Sequence, residues 1–271
     1  MTDLLSYEFM QNAVLSGIMA SIICGVIGPF IVARRMVFIS GGLSHTAFGG
    51  LGIAYWLGIS PIYGAFLFVL LAAIGINLWE EKIARQDLVI GILWAFGVAV
   101  GIIFISMTPG YVPDLMAFLF GNILTVSRAD VHTTFFLLLL VTVPVFIFFK
   151  GLVFVTFDEE YAQTRALPAK ALNMMLVVLV ALAIVTLIQV VGIILVIALI
   201  TIPVAIALDL TGSFKRTMVL ATFLGILFSL SGLFLSYFLE LPSGAAIIMV
   251  GTMALIVTKG MKRLIRNHNH G

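Results

Sequence analysis

The sequence predicts an all-α integral membrane protein of about nine transmembrane helices, built as one domain over residues 1–271. Three observations lead there. Of the 271 residues, 62% are hydrophobic and 10% charged, with a mean hydropathy of +1.25. A soluble domain carries about 25% charged residues, so this chain cannot cover its own surface with polar groups. Its apolar residues also gather into uncharged runs long enough to cross a ~30 Å hydrocarbon core at about 1.5 Å per residue. Finally, the Lys and Arg residues collect in alternate gaps between those runs.

The runs follow one another along the chain. Residues 12–33 form the first. No Lys or Arg precedes Arg34, so the basic n-region of a secretory signal is missing and the run reads as a retained span. Residues 36–79 hold no charge over 44 positions, and Gly58-Ile59-Ser60-Pro61 divides them into two spans. Residues 88–107 make the fourth span, closed by Thr108-Pro109-Gly110, and 131–149 the fifth. Residues 171–208 are uncharged over 38 positions and must turn, near Gln189–Gly192. Residues 217–239 and 244–258 complete nine spans. Residues 115–124 are apolar but too short to cross, and Asp114 suits the cap of a short re-entrant or interfacial helix there. Pro203 marks a second irregular point.

The cations test the count. With the N-terminus outside, 13 of the 14 Lys and Arg fall on the inner side: Arg34, Arg35, Lys82, Arg85, Lys150, Arg165, Lys170, Lys215, Arg216, Lys259, Lys262, Arg263 and Arg266. Arg128 alone lies outside. Cytoplasmic loops of membrane proteins hold such an excess, so the C-terminus and the tail 259–271 are expected in the cytoplasm. Cys24 is the only cysteine, which excludes an intrachain disulfide.

Five stretches together carry a family resemblance. They are Arg34-Arg35-Met36-Val37-Phe38 with Leu43-Ser44-His45; DLMAFLFGNIL over 114–124; FDEEYAQTRALPAKALN over 157–173; QVVGIILVIALITIPVAIA over 189–207; and LPSGAAI over 241–247. In this order they resemble the membrane-spanning permeases of bacterial metal-ion ABC importers, which handle zinc, manganese and chelated iron. The resemblance implies a type II ABC importer-like permease in the inner membrane of a bacterial or archaeal cell. It implies a homodimer around a central pathway, an ATP-binding ABC subunit, and an extracellular metal-binding solute-binding protein. The cargo would be a divalent metal ion, with no cofactor held stably. Beyond these the expected surroundings are the lipid bilayer, and no nucleic acid.

The stretch 157–173 lies on the expected inner side. Asp158, Glu159 and Glu160 suit a helix N-terminus, whose partial positive charge favours carboxylates, and Pro168 is expected to stop that helix. A polar helix there is either a solvated connector or a docking surface. In the resembled family this region contacts the ATPase, which implies a coupling role for Glu159, Glu160, Tyr161 and Arg165.

His45 is the candidate metal ligand. An ionisable residue inside a span is costly and marks a functional site by default, although a neutral imidazole bonded to a neighbouring carbonyl would also be tolerated. Gly41, Gly42 and Gly49, with Ser44, would line the pathway, since glycines let a backbone or an ion approach closely. The resembled family commonly places an Asp four residues before this histidine, on the same helix face; here that position is Gly41. Imidazole suits zinc, whereas manganese leans toward oxygen ligands, so zinc is favoured. His268 and His270 could bind metal as a short tract, but two imidazoles at a chain end are more often incidental. His132 is expected at the outer interface; Trp56, Trp79 and Tyr111 in aromatic belts; Trp94 in packing.

Two rival classes remain. An ion-coupled secondary transporter acting without an ATPase would place acids at the midplane, where this chain has none. An intramembrane enzyme would need a nucleophile and base in reach, but adjacent Ser44 and His45 point about 100° apart on a helix. GxxxxGK[ST] is absent, so ATP would be hydrolysed on a separate subunit; the chain is not expected to be an enzyme.

Overall fold

The computed structural model describes residues 6–79, 86–109 and 121–268, and every regular element among them is helical. The helices are α1 (Glu8–Ala33), α2 (Val37–Trp56), α3 (Pro61–Trp79), α4 (Gln86–Ser106), α5 (Arg128–Ile147), α6 (Phe149–Phe157), α7 (Glu159–Thr164), α8 (Ala169–Val191), α9 (Ile193–Leu210), α10 (Phe214–Leu239) and α11 (Ser243–His268). One 3-10 turn, Ile123–Thr125, precedes α5. Eight helices among the described residues are long and apolar enough to cross a membrane. The ninth uncharged run is α3, 19 residues long, whose fully described apolar part is Pro61–Ile76. The short segment anticipated over 115–124 lies outside the described residues except for its last four, which lead into the 3-10 turn.

Helix ends depart from the expected ones where capping chemistry extends or closes them. α5 starts at Arg128 because Ser127 and Asp130 form a reciprocal capping box: the Asp130 amide donates to Ser127 Oγ at 3.2 Å, and the Ser127 amide to Asp130 Oδ2 at 3.0 Å. α7 ends before Pro168. Ala166 takes a left-handed conformation (φ 56°), and the Leu167 amide reaches back to Ala162 O at 3.1 Å. The same six-to-one closure ends α1 at Arg35 (φ 58°), where the Met36 amide bonds Ile31 O at 2.8 Å. It ends α2 at Gly58 and α10 at Glu240 (φ 53°). Such closures satisfy carbonyls that a helix end leaves without partners. α8 and α9 are separated by Gly192 alone (φ 80°), within the expected turn region.

Two groups of helices make up the chain. α2 packs against α4 and α3; α1 packs against α10, α9, α5 and α8; α3 joins the groups through α8. Ile23, Ile27, Phe30 and Ile31 of α1 and Ile184 and Leu187 of α8 are fully buried. The α2–α4 approach is backbone on backbone: a Cβ added at Gly52 would lie 2.5 Å from Gly101 O, and one at Gly97 2.6 Å from Thr46 Cα. Small residues on facing helices allow this closeness, which supplies the packing that apolar lipid cannot drive.

Side-chain ties sort the helix ends. At one end Arg128 Nε meets Glu8 Oε1 at 2.6 Å, Asn12 Nδ2 donates to Val126 O at 3.2 Å, and the Ile123 amide donates to Ser243 Oγ at 3.3 Å. So α1, α5 and α11 all begin at one level. At the other end Phe30, Phe149, Phe157 and Phe214 cluster, Phe30 lying 4.7 Å from Phe214 and Phe157 5.7 Å from it.

The glycine contacts predict a contrast. Gly52→Ala should lower the melting temperature of the purified protein, costing about 1–3 kcal/mol, because backbone blocks its Cβ. Gly75→Ala, whose Cβ meets nothing within 4 Å, should leave stability unchanged or slightly raised. Thermal unfolding in detergent reads both.

Candidate functional site

His45 lies on α2, half-buried, with its ring flat against Trp94 of α4: the centroids are 4.1 Å apart and the planes 12° from parallel. α4 holds Trp94 in place because Thr46, next to the histidine, donates from Oγ1 to Gly42 O at 2.7 Å and to Leu93 O at 3.3 Å. Stacking occupies one face of the imidazole. The nitrogen lone pair of a neutral imidazole lies in the ring plane, so an ion can be bound at the ring edge without breaking the stack.

The expected neighbours of His45 fall in different places. A Cβ at Gly41 would point beside Trp94 (3.8 Å to Cζ3) and Ile197 (3.7 Å to Cδ1), at ordinary contact distance and on the histidine's side of the helix. Gly42 faces Ile90, and Gly49 faces Gly97 and Phe68. Ser44 is fully buried and donates to Ser40 O at 2.8 Å. Gly41 therefore stands beside His45, whereas Gly42 and Gly49 lie against α4 and α3 and Ser44 is turned onto its own helix. With its hydroxyl committed to its own helix, Ser44 also makes no nucleophile–base pair. Among the described residues no cluster of three or more His, Cys, Asp or Glu could hold a metal ion. Trp94, read as packing, is the residue that sequence reasoning missed at this site, since nothing in its spacing announces a partner 49 positions earlier.

A second constellation stands at the Phe30 end. Asp158 caps α7, accepting from the Tyr161 amide at 2.8 Å. Tyr161 and Arg165 pair on the outside, Nε donating to the phenol at 3.0 Å, and Glu160 is exposed beside them. Glu159 turns the other way. Its Oε2 accepts from Asn173 Nδ2 of α8, whose Oδ1 accepts from Arg34 Nη1 at the end of α1; Arg34 Nη2 stands 3.9 Å from the same carboxylate oxygen. The four expected coupling residues thus divide into three on the surface and one facing inward. Lys262 Nζ, in the expected tail, bonds Asp209 Oδ1 at 2.8 Å at the end of α9. His132 bonds its own helix through Nδ1 and Arg128 O at 2.7 Å. The His268 side chain, His270, Tyr111 and the Trp79 side chain lie outside what is described.

Comparison with known proteins bears on what these positions serve. The ABC 3 transport family matches residues 6–261. The chain belongs to that family. An uncharacterised membrane protein of Synechocystis sp. is 42% identical over 97% of this chain and 94% of its own length. The manganese transport system membrane protein MntC of Halalkalibacterium halodurans is 35% identical over 92% and 86%. Among solved structures, a chain of PsaBC from Streptococcus pneumoniae, in complex with a Fab, superposes with a TM-score of 0.86 at 33% identity, covering 95% of this chain and 93% of that one. The all-helical fold is that of ABC transporter permeases, and this family member is a multi-pass permease of the metal ABC transporter family.

The stack makes a chemical prediction. Trp94→Ala should raise the rate at which diethyl pyrocarbonate modifies His45 several-fold, read by peptide mass spectrometry, with His132 as internal control. An unchanged rate would show that the indole does not cover the imidazole.

Proposed function

We propose that this chain is the transmembrane permease of an ATP-driven importer, passing divalent metal ions from a solute-binding protein into the cytoplasm. Two copies enclose the pathway, and a separate ABC subunit hydrolyses ATP. The observation that carries this is membership of the ABC 3 transport family over residues 6–261. The N-terminus lies outside and the tail 259–271 inside. In support, the contacts place Glu8, Arg128 and Ser243 at one end of the bundle and Arg34, Glu159 and Asn173 at the other. Among the described residues, the cationic gaps holding Arg34, Lys150 to Lys170, and Lys215 with Arg216 gather at the latter end. Residues 157–173 form the coupling segment, with Glu160, Tyr161 and Arg165 on the face offered to the ATPase.

His45 serves as a transient ligand. Passage requires a site strong enough to admit the ion and weak enough to release it, and one imidazole per copy without a carboxylate meets both demands. Gly41 shares the histidine's side of α2, so the pathway passes Gly41, His45 and Trp94. Zinc is favoured over manganese because, among the described residues, imidazole is the one strong donor there, although relatives carry manganese in their names. Manganese or iron are admitted at lower affinity. Ion coupling without an ATPase is disfavoured: among the described residues, the acids on spanning helices sit in first or last turns, as Glu8, Asp130 and Asp209 do, and not at the midplane.

Uptake by proteoliposomes holding the permease, its ATPase and the binding protein tests this. His45→Ala should reduce zinc uptake at limiting metal by at least about ten-fold while leaving basal ATP hydrolysis in place. Unchanged uptake would remove His45 from the pathway. Gly41→Asp, for which the Cβ has room, should shift preference toward manganese relative to zinc in competition uptake.

A further inference from the structure

We propose that Arg34 and Asn173 are positioning residues that fasten the coupling helix to the helix carrying His45; this rests on the coupling role proposed for residues 157–173. Three elements meet at these side chains. Arg34 is the C-cap of α1, Glu159 the first residue of α7, and Asn173 lies in the second turn of α8. Asn173 is the relay: its amide nitrogen donates to Glu159 and its oxygen accepts from Arg34. The guanidinium also stands against the carboxylate directly, at 3.9 Å. With side-chain exposures of 19% for Arg34 and 37% for Glu159, the cluster is shielded more than a surface ion pair, whose contribution is small.

The covalent path beyond Arg34 is short and stiff. α1 passes into α2 through Arg34, Arg35 and Met36 alone, with Arg35 held left-handed by the Met36–Ile31 and Arg35–Val32 bonds. From Met36 to His45 is nine residues, about 13 Å along a helix. Over that length α2 lies against α4 at Gly42, where an added Cβ would come 2.5 Å from Ile90 Cγ2, and just past His45 at Thr46, whose Cα would lie 2.6 Å from a Cβ at Gly97. The Phe30, Phe149 and Phe214 contacts add a packed floor beneath the cluster. A displacement of α7 therefore reaches α2 by two routes: through Glu159 and Arg34 at the elbow, and through α8 by way of Asn173. A planar guanidinium, with donors fixed in a fork, transmits direction as well as pull, which a lysine ammonium does less well.

The experiment uses the full complex of permease, ATPase and binding protein in liposomes, measuring ATPase assembly, hydrolysis rate and metal moved per ATP. Arg34→Gln and Asn173→Asp are expected to keep assembly and hydrolysis within about two-fold while metal moved per ATP drops at least about five-fold. Arg34→Lys should recover part of the loss, and the exchange Arg34→Glu with Glu159→Arg should recover more than either single change. Asn173→Asp guards against misfolding of the Arg34 variants, since it leaves Arg34 an acceptor and breaks only the tie to Glu159. Wild-type transport per ATP in both variants, or a loss that merely follows lost assembly, overturns the proposal. The docking role is read separately: if Glu160→Ala with Tyr161→Ala assembles with the ATPase as the wild type does, that role fails, whatever the Arg34 variants show.

Discussion

A hydrocarbon solvent offers the backbone no hydrogen-bond partner, and the whole structure answers to that constraint. Each spanning run is helical for that reason, and each place where a helix stops needs its carbonyls satisfied locally. α1, α7 and α10 stop with a non-glycine residue at positive φ, a conformation costing roughly 1–2 kcal/mol. Arg35, Ala166 and Glu240 accept it because the following amide then closes the helix end. Gly192, the single residue between α8 and α9, is covered by Gly121. A side chain at Gly121 would strike Val191's carbonyl and come 2.6 Å from the Gly192 amide. Irregular backbone is met there by protein and not by lipid.

Polar side chains obey the same rule in another form. Within the spans, Ser40, Ser44, Thr46, Thr186 and Thr201 turn their hydroxyls onto their own helices. One pair crosses between helices: Ser21 donates to Gly17 O at 2.7 Å, so Ser229 is the donor in the 2.9 Å contact between their hydroxyls. It ties α1 to α10, where a Cβ added at Gly225 would lie 3.2 Å from Ser21 Cβ. Among the described residues, the charged tie Glu8–Arg128 lies at one end and the ties Arg34–Glu159 and Asp209–Lys262 at the other. His45 is the exception in the middle, with an aromatic ring where its neighbours have a backbone acceptor.

What could be read from the sequence follows the same division. Spans were legible because charge is expelled from them, a signal that needs no partner to be known; the break at Gly192 was legible because glycine tolerates positive φ. The closures at Arg35, Ala166 and Glu240 were not, since these residues carry no bias toward that conformation and only the bonds formed reveal it. Pro168 was therefore credited with stopping a helix that Ala166 had already ended. At the candidate site, His45 stood out by its chemistry, whereas Trp94 did not. An indole in a span packs well against anything, and the stack depends on the α2–α4 register fixed by Gly52 and Gly101. Glu159 and Glu160 look alike in sequence; only the placement of α7 on α8 turns one toward Asn173 and leaves the other in solvent.

The lone imidazole also bears on how fast an ion could pass. At an association rate of about 10⁷ M⁻¹ s⁻¹, a nanomolar site empties about once in 100 s, and a micromolar one about ten times a second. A carboxylate at position 41 would share the face of His45 and deepen the well, slowing release. Gly41 leaves that space open, its nearest neighbours being Ile197 and Trp94 at 3.7 and 3.8 Å. With the carboxylate gone, the indole holds the ring in one orientation, its nitrogen edge free to offer a single donor bond. Selectivity at such a point comes from the donor's affinity for imidazole-binding cations, and direction must come from elsewhere. The tie proposed among Arg34, Asn173 and Glu159 would supply it from the end of the bundle.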